Sequence, residues 1–253
     1  ETYIEESRLA TAEVSLGSLL SPGAWRPALP PEVNPRQIGD ELWSNAFDKD
    51  QLDDRPLYWQ RLILSQYLRE LGAESSDLLE FELASRGMLG NQFSGGATYR
   101  VLVTGFDPFH LDDYIEQGNP SGVVALQHQH KQIALGAGRA EIRSMIFPVR
   151  YKDFDEFLVE RVLEAFTDKV DMVITVSMGR TGFDLERFPG RRRSVSTPDN
   201  AREAGGGSAE KPFVPPYLEG PEFVEFSLPA GEMKKCMGDF PVNDNRLVTT
   251  LEQ

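Results

Sequence analysis

Cysteine is nearly absent: among 253 residues Cys236 stands alone. That excludes an intramolecular disulfide and any Cys-rich zinc or iron–sulfur site. Histidine is almost as scarce, and His110, His128 and His130 are the only candidates for an imidazole base or metal ligand. No apolar run approaches the ~18 residues that a membrane span requires. Positive charge is in deficit, with 26 basic against 40 acidic residues and a formal net charge of −14. Counterion release on nucleic acid needs basic surface. Neither a nucleic-acid nor a membrane partner is therefore expected, and no metal or cofactor. One cysteine fits a reducing cytoplasm, although the chain starts at Glu1 without Met, which is compatible with a removed secretory leader. What is present suffices for a sizeable core, since 40% of residues are apolar and 26% charged.

The grammar of the chain changes near residue 99. Residues 1–98 hold 16 acidic and 8 basic residues and no convincing strand. Pro22, Pro27, Pro30, Pro31 and Pro35 mark an irregular stretch. From Pro56 to Leu71 the spacing of Leu57, Leu64, Tyr67, Leu68 and Leu71 predicts an amphipathic helix stopped by Gly72. Ser76-Asp77 can cap a second helix through Leu78, Leu79, Phe81 and Leu83 to Gly87. Gly90 to Thr98 reads as a flexible linker. Beyond it, Arg100–Thr104 is a short, continuously apolar strand, Glu141–Phe147 and Asp171–Val176 read as the second and third, and Phe223–Ser227 as a fourth. Helical stretches follow at Ser121, at Asp153–Phe166 and at Ala230–Met237. This alternation predicts an α/β fold around a mainly parallel sheet. The expected organisation is a helical or irregular N-terminal extension over 1–98 and an α/β domain over 99–253, incomplete at its C-terminus. Ligands of such sheets sit outside the carboxyl ends of the strands, which directs attention to the loops after Thr104 and Val176.

The first of those loops reads Thr104-Gly105-Phe106-Asp107-Pro108-Phe109, with Asn119-Pro120-Ser121 further on. Later come Phe147-Pro148-Val149, Gly179-Arg180, Glu186-Arg187, Pro198-Asp199-Asn200 and Leu228-Pro229. In combination and order these segments resemble the pyroglutamyl peptidase I family, the pyrrolidone-carboxyl peptidases. The resemblance covers about residues 99–242; residues 1–98 have no counterpart in it. It implies a three-layer, phosphorylase/hydrolase-like domain and a cysteine peptidase that removes N-terminal pyroglutamate from a small blocked peptide. Phe106 and Phe109 would wall the flat lactam ring, Asn119 would join them in the pocket, and Glu186 would be the acidic member of the triad. Homo-oligomerisation is compatible with the sequence.

Several positions depart from the family pattern. Its nucleophile lies in a small-residue strand and turn after the Leu-Pro helix, and its histidine later still. Cys236 lies instead inside the helix that follows Leu228-Pro229, beside Lys234 and Lys235, and reads as structural. All three histidines precede Glu186. His110 replaces a family glycine, Val176 stands where the family carries a Gln, and Ser196 replaces an Arg. His128 and His130 lie two apart on an expected helix, about 200° around its axis, so they cannot chelate one metal and are expected to face solvent. The run Arg191-Arg192-Arg193 reads as a solvated loop. Gly205-Gly206-Gly207-Ser208 lacks the Lys of a phosphate loop and reads as a flexible excursion. Two functions follow: a peptidase whose Cys and His are carried by chain beyond Gln253, or a catalytically inactive homologue acting as a binding or scaffold module.

Overall fold

A computed structural model describes residues 29–46, 52–111, 113–136, 138–179, 182–195, 197–208, 210–216 and 219–245. Pro22, Pro27, Arg180, Ser196 and Gln253, named above, lie outside the described residues. In chain order the elements begin with α1 (Pro35–Asn45), α2 (Arg55–Glu70), α3 (Ser75–Ala84) and β1 (Tyr99–Phe106). Next come α4 (Pro120–His128), β2 (Gln132–Leu135), β3 (Gly138–Phe147), α5 (Tyr151–Asp155) and α6 (Leu158–Glu164). Then follow β4 (Met172–Thr175), β5 (Phe183–Glu186), α7 (Ala230–Lys235) and β6 (Val242–Asn245). The chain divides into two compact units, Glu1–Pro148 with Arg161–Ser177, and Val149–Glu160 with Met178–Gln253. Among the described residues no helix is long and apolar enough to cross a membrane.

The protein is mixed α/β with a mainly parallel sheet. In the first unit the strand order is β2-β3-β1-β4; β1 runs parallel to β3 and β4, and β2 antiparallel to β3. The apolar run of β1 has its expected cause: Leu102 and Val103 are both buried although successive side chains point to opposite faces. In β3, Met145 and Ile146 are likewise buried, but so are the polar Glu141, Arg143 and Ser144. Edge strand β4 differs, and its Met172, Val173 and Ile174 are exposed on both faces.

The helices before the sheet form where local signals place them. Asn34 caps α1 by accepting the Gln37 N–H at 3.0 Å. Gly72 ends α2 with φ 92°, a left-handed conformation that costs glycine little, and the Ala73 N–H reaches the Leu68 carbonyl at 2.9 Å. The apolar stripe of α2 (Leu57, Leu64, Leu68) then meets Leu42 and Trp43 of α1, Phe81 of α3, Ala125 and Leu126 of α4, and Ile146 of β3 in one core. Each large apolar side chain so buried contributes about 1.5–3 kcal/mol.

The stretch expected to be a linker is tied down instead. Asn91 donates to the Ser144 carbonyl at 2.6 Å, Ser94 donates its N–H and hydroxyl to the Glu141 carboxylate, and the Thr98 N–H bonds the Arg139 carbonyl. The Asn91 bond, the Ile142 N–H on the Lys131 carbonyl and the Ile146 N–H on the Arg86 carbonyl satisfy the outer edge of β3, while the Thr98 bond continues the β1–β3 ladder. Buried backbone groups require such partners. Residues 90–98 are thus anchored to β3 by Asn91, Ser94 and Thr98, although the space around Gly95 is open.

Other expectations are corrected. The helix expected over Asp153–Phe166 is two short helices, interrupted at Phe157, whose φ of 61° is unusual for an aromatic residue. The second unit holds the parallel pair β5–β6. Phe223–Ser227 is not a strand: segment 222–226 lies along 187–191 through three backbone hydrogen bonds and a single bridge, Gly190 to Phe223. Nor is the arginine run merely solvated. Arg193 stacks between Tyr151 (5.0 Å) and Phe213 (4.6 Å) and bonds Asp155 at 2.8 Å. Arg192 pairs with Glu222 over the Phe223 ring. The glycine run fits around this stack, because a Cβ on Gly205 would lie 2.6 Å from the Tyr151 ring.

Candidate functional site

β1 ends in the aromatic loop, and three contacts set its shape. A Cβ on Gly105 would lie 2.2 Å from the Ser121 carbonyl oxygen, so β1 and the start of α4 touch backbone to backbone. The Phe106 N–H donates to Ser121 Oγ at 3.0 Å. Asn119 Nδ2 donates to the Asp107 carbonyl at 2.9 Å, while its Oδ1 accepts from the Ser121 N–H and hydroxyl. Asn119 is 1% exposed and caps α4, so its side chain holds the loop rather than facing outward. Phe106 is half-buried, edge-on to Phe147 at 5.9 Å. Phe109, also half-buried, lies 4.8 Å from the His110 ring, and its carbonyl accepts from Gln117. His110 has φ 60°, in the left-handed region where glycine is least costly.

Beneath this loop lies a buried ionic group that sequence reasoning missed. Asp107 accepts from Arg61 at 2.8 Å through Oδ1 and from Arg86 at 2.6 Å through Oδ2. Arg61 also donates to Ser85 Oγ and the Ser85 carbonyl, and Arg86 to Glu82. Burial, reinforced by the Arg86 charge, lowers the pKa of Arg61. Burial acts the same way on Arg86, but Asp107 and Glu82 outweigh it and the net shift is upward. A signal existed in the sequence, because Arg61 falls inside the apolar stripe of α2, where a charge requires a buried partner.

Asp54, also missed, lies against the start of α4 and accepts the Asn119 N–H at 3.0 Å. Burial pushes its carboxyl from 3.8 up to about 7, the Asn119 N–H opposes this, and the charges of Asp107 and Asp53 add to it. Arg55 is engaged by Asp53. Because folded Asp54 holds its proton more tightly than the unfolded chain does, its effect on stability worsens as pH rises from 3.8 to about 7, then levels. Asp54→Asn removes this ionisation. Its stability relative to wild type is expected to improve by on the order of 2–3 kcal/mol between pH 4.5 and 7.5. Thermal melts of both proteins across that range check it; a constant or opposite difference refutes the assignment.

Glu186 lies in the second unit, exposed near the end of β5, and its carboxylate makes no hydrogen bond or ion pair among the described residues. Its neighbour Arg187 pairs with Glu225 and Asp244. In the same unit Asp199 of the Pro-Asp-Asn segment is buried, accepting the N–H groups of Tyr151, Ala201 and Glu203. Cys236 is exposed at the end of α7. The histidines are more engaged than expected: His128 Nδ1 contacts the Val124 carbonyl at 2.8 Å. His130 lies outside the helix with φ 62° and accepts from Arg143 at 2.7 Å. Burial and then the Arg143 charge lower its pKa. Among the described residues no group of three or more His, Cys, Asp or Glu could hold a metal ion.

Fold and site together define a mixed α/β protein with a stiffened aromatic loop at the carboxyl end of an interior parallel strand. A family model described as PA0049, C-terminal domain, matches residues 100–217. A protein of Pseudomonas aeruginosa, "Uncharacterized protein PA0049", is 32% identical over 191 residues, covering 60% of this chain and 34% of that protein. The chain thus spans about a third of this curated relative. Among solved structures, a mutant pyrrolidone carboxyl peptidase from Pyrococcus furiosus is 25% identical, covering 60% of this chain and 66% of its own, with TM-score 0.46. Another structure of that peptidase is 26% identical over 57% of this chain and 64% of its own, with TM-score 0.45.

Proposed function

We propose that this chain binds N-terminal pyroglutamyl groups, as the substrate-binding part of a pyroglutamyl-peptidase-I-like cysteine peptidase. The observation that carries the reading is the loop itself. Two half-buried phenylalanines stand at the carboxyl end of an interior parallel strand, held by the hydrogen-bonded Asn119–Ser121 turn. A lactam ring has apolar faces and one polar edge, so Phe106 and Phe109 suit its faces and Asn119 keeps them in place. Hydrolysis requires a thiolate to attack the pyroglutamyl carbonyl, an imidazole to pass the thiol proton to the leaving amine, and then water to cleave the resulting thioester, releasing pyroglutamate and restoring the thiol. Glu186 is the acidic residue proposed to orient that imidazole.

The second reading is a non-catalytic binding or scaffold module, and Cys236 favours it. The only thiol of the chain is exposed, in a unit that contains no histidine.

Calorimetric titration with pyroglutamate, and with proline as control, tests the pocket. Selective binding is expected, weakened about tenfold or more by Phe106→Ala or Phe109→Ala. Absence of selective binding defeats both readings as lactam sites. A polypeptide continuing past Gln253 separates them. The peptidase reading expects thiol-sensitive release from a chromogenic pyroglutamyl amide, reduced about 10²-fold or more by Glu186→Gln. Binding without release favours the module.

A further inference from the structure

We propose that Arg61 and Arg86 are positioning residues for the loop that carries Phe106 and Phe109, so that α2 and the segment after α3 belong to the site. This rests on the pocket reading given above. Asp107 stands between the two phenylalanines and is held from three directions. Its N–H bonds the Phe147 carbonyl at 3.0 Å, its carbonyl accepts from Asn119, and its carboxylate oxygens take one arginine each. The arginines are themselves oriented. Ser85 takes Nε and Nη2 of Arg61, Glu82 takes Nη2 of Arg86, and the Arg86 carbonyl accepts the Ile146 N–H of β3.

Why an ionic group should occupy this place is the informative point. Arg61, Arg86 and Asp107 are 2%, 3% and 2% exposed, deep enough for apolar side chains to serve. Buried ion groups are seldom more stabilising than apolar replacements of similar volume. Apolar packing, however, has little directionality, whereas charge-assisted hydrogen bonds fix both distance and angle. Two guanidinium groups on one carboxylate fix the residue between Phe106 and Pro108 relative to β3. Displacement of a recognition group by about 1 Å can cost up to 10²-fold.

The test compares Arg61→Met, Arg86→Met, Arg86→Lys and the triple variant Arg61→Met/Arg86→Met/Asp107→Leu, which removes the central ions together. Two readouts are taken on folded protein: the NMR resonances of the Phe106 and Phe109 rings, with the mutual contact of Phe106 and Phe147, and the affinity for pyroglutamate. Both Met variants and the triple are expected to shift Phe106 and Phe109 and weaken binding about tenfold or more. Arg86→Lys, which keeps the charge but not the fork to Asp107 and Glu82, is expected to fall between the Met variant and wild type. Should the single Met variants not fold, the triple decides. Unchanged Phe106 and Phe109 resonances in a folded Met or triple variant overturn the proposal. So does a triple variant that regains affinity along with stability, since that marks the arginines as merely structural. If wild type binds no pyroglutamate, the pocket reading fails while the ring resonances still decide the positioning role.

Discussion

Asp107→Asn is expected to be the most damaging single substitution at the candidate site, lowering folding stability by about 3–5 kcal/mol. The change is nearly isosteric, so packing is not the cause. Asp107 balances Arg61 and Arg86, which are 2% and 3% exposed. An asparagine keeps one acceptor oxygen and turns an NH₂ group toward the other guanidinium, setting donor against donor. Glu82 can still answer Arg86 but has no hydrogen bond to Arg61. Urea denaturation monitored by circular dichroism measures the loss. A change below about 1 kcal/mol, the value of an exposed ion pair, contradicts the buried network. The triple replacement with Met, Met and Leu is expected to recover much of what Asp107→Asn loses.

Gly105→Ala is the second large expectation, at about 3 kcal/mol or more. One methyl group placed 2.2 Å from the Ser121 carbonyl oxygen and 2.6 Å from its carbon cannot be absorbed by a rotamer change, because both obstacles are backbone. The start of α4 must move away from β1, and the bond from the Phe106 N–H to Ser121 Oγ breaks with it. Thermal unfolding and pyroglutamate titration together check this, with stability and affinity both expected to fall. A variant of wild-type stability refutes the close approach of β1 and α4.

The parallel sheet was legible from the alternation of strands with helices and from β1, which is covered on both faces and therefore carries an unbroken apolar run. Helix α2 was legible from Gly72 and the Leu57–Leu68 spacing, and α3 from its Ser76-Asp77 start, whereas α1 begins at Pro35, in the stretch expected to be irregular. Strand β2 was not, since its four residues are exposed and carry no alternation. The break at Phe157 was not, because nothing local marks an aromatic residue for a left-handed conformation. Residues 90–98 misled in the other direction. Their composition is that of a linker, and their hydrogen bonds to β3 depend on residues about fifty positions away.

At the site the same division holds. Phe106, Phe109, Asn119 and Glu186 were singled out from motifs that lie in continuous sequence. The partners of Asp107 were not, although Arg61 on an apolar helix face was a visible irregularity. By itself, the sequence determined the periodic elements, the aromatic loop and its Asn-Pro-Ser turn, and the scarcity of thiol and imidazole. Those features are local, governed by backbone conformation and side-chain spacing. Only the tertiary structure decided that α1–α3 share the core of the sheet, that Asn119 is spent on the loop, and that Arg61 and Arg86 meet on Asp107. Charge pairing and edge sealing act between segments distant in sequence, and their partners become known only when the chain is folded.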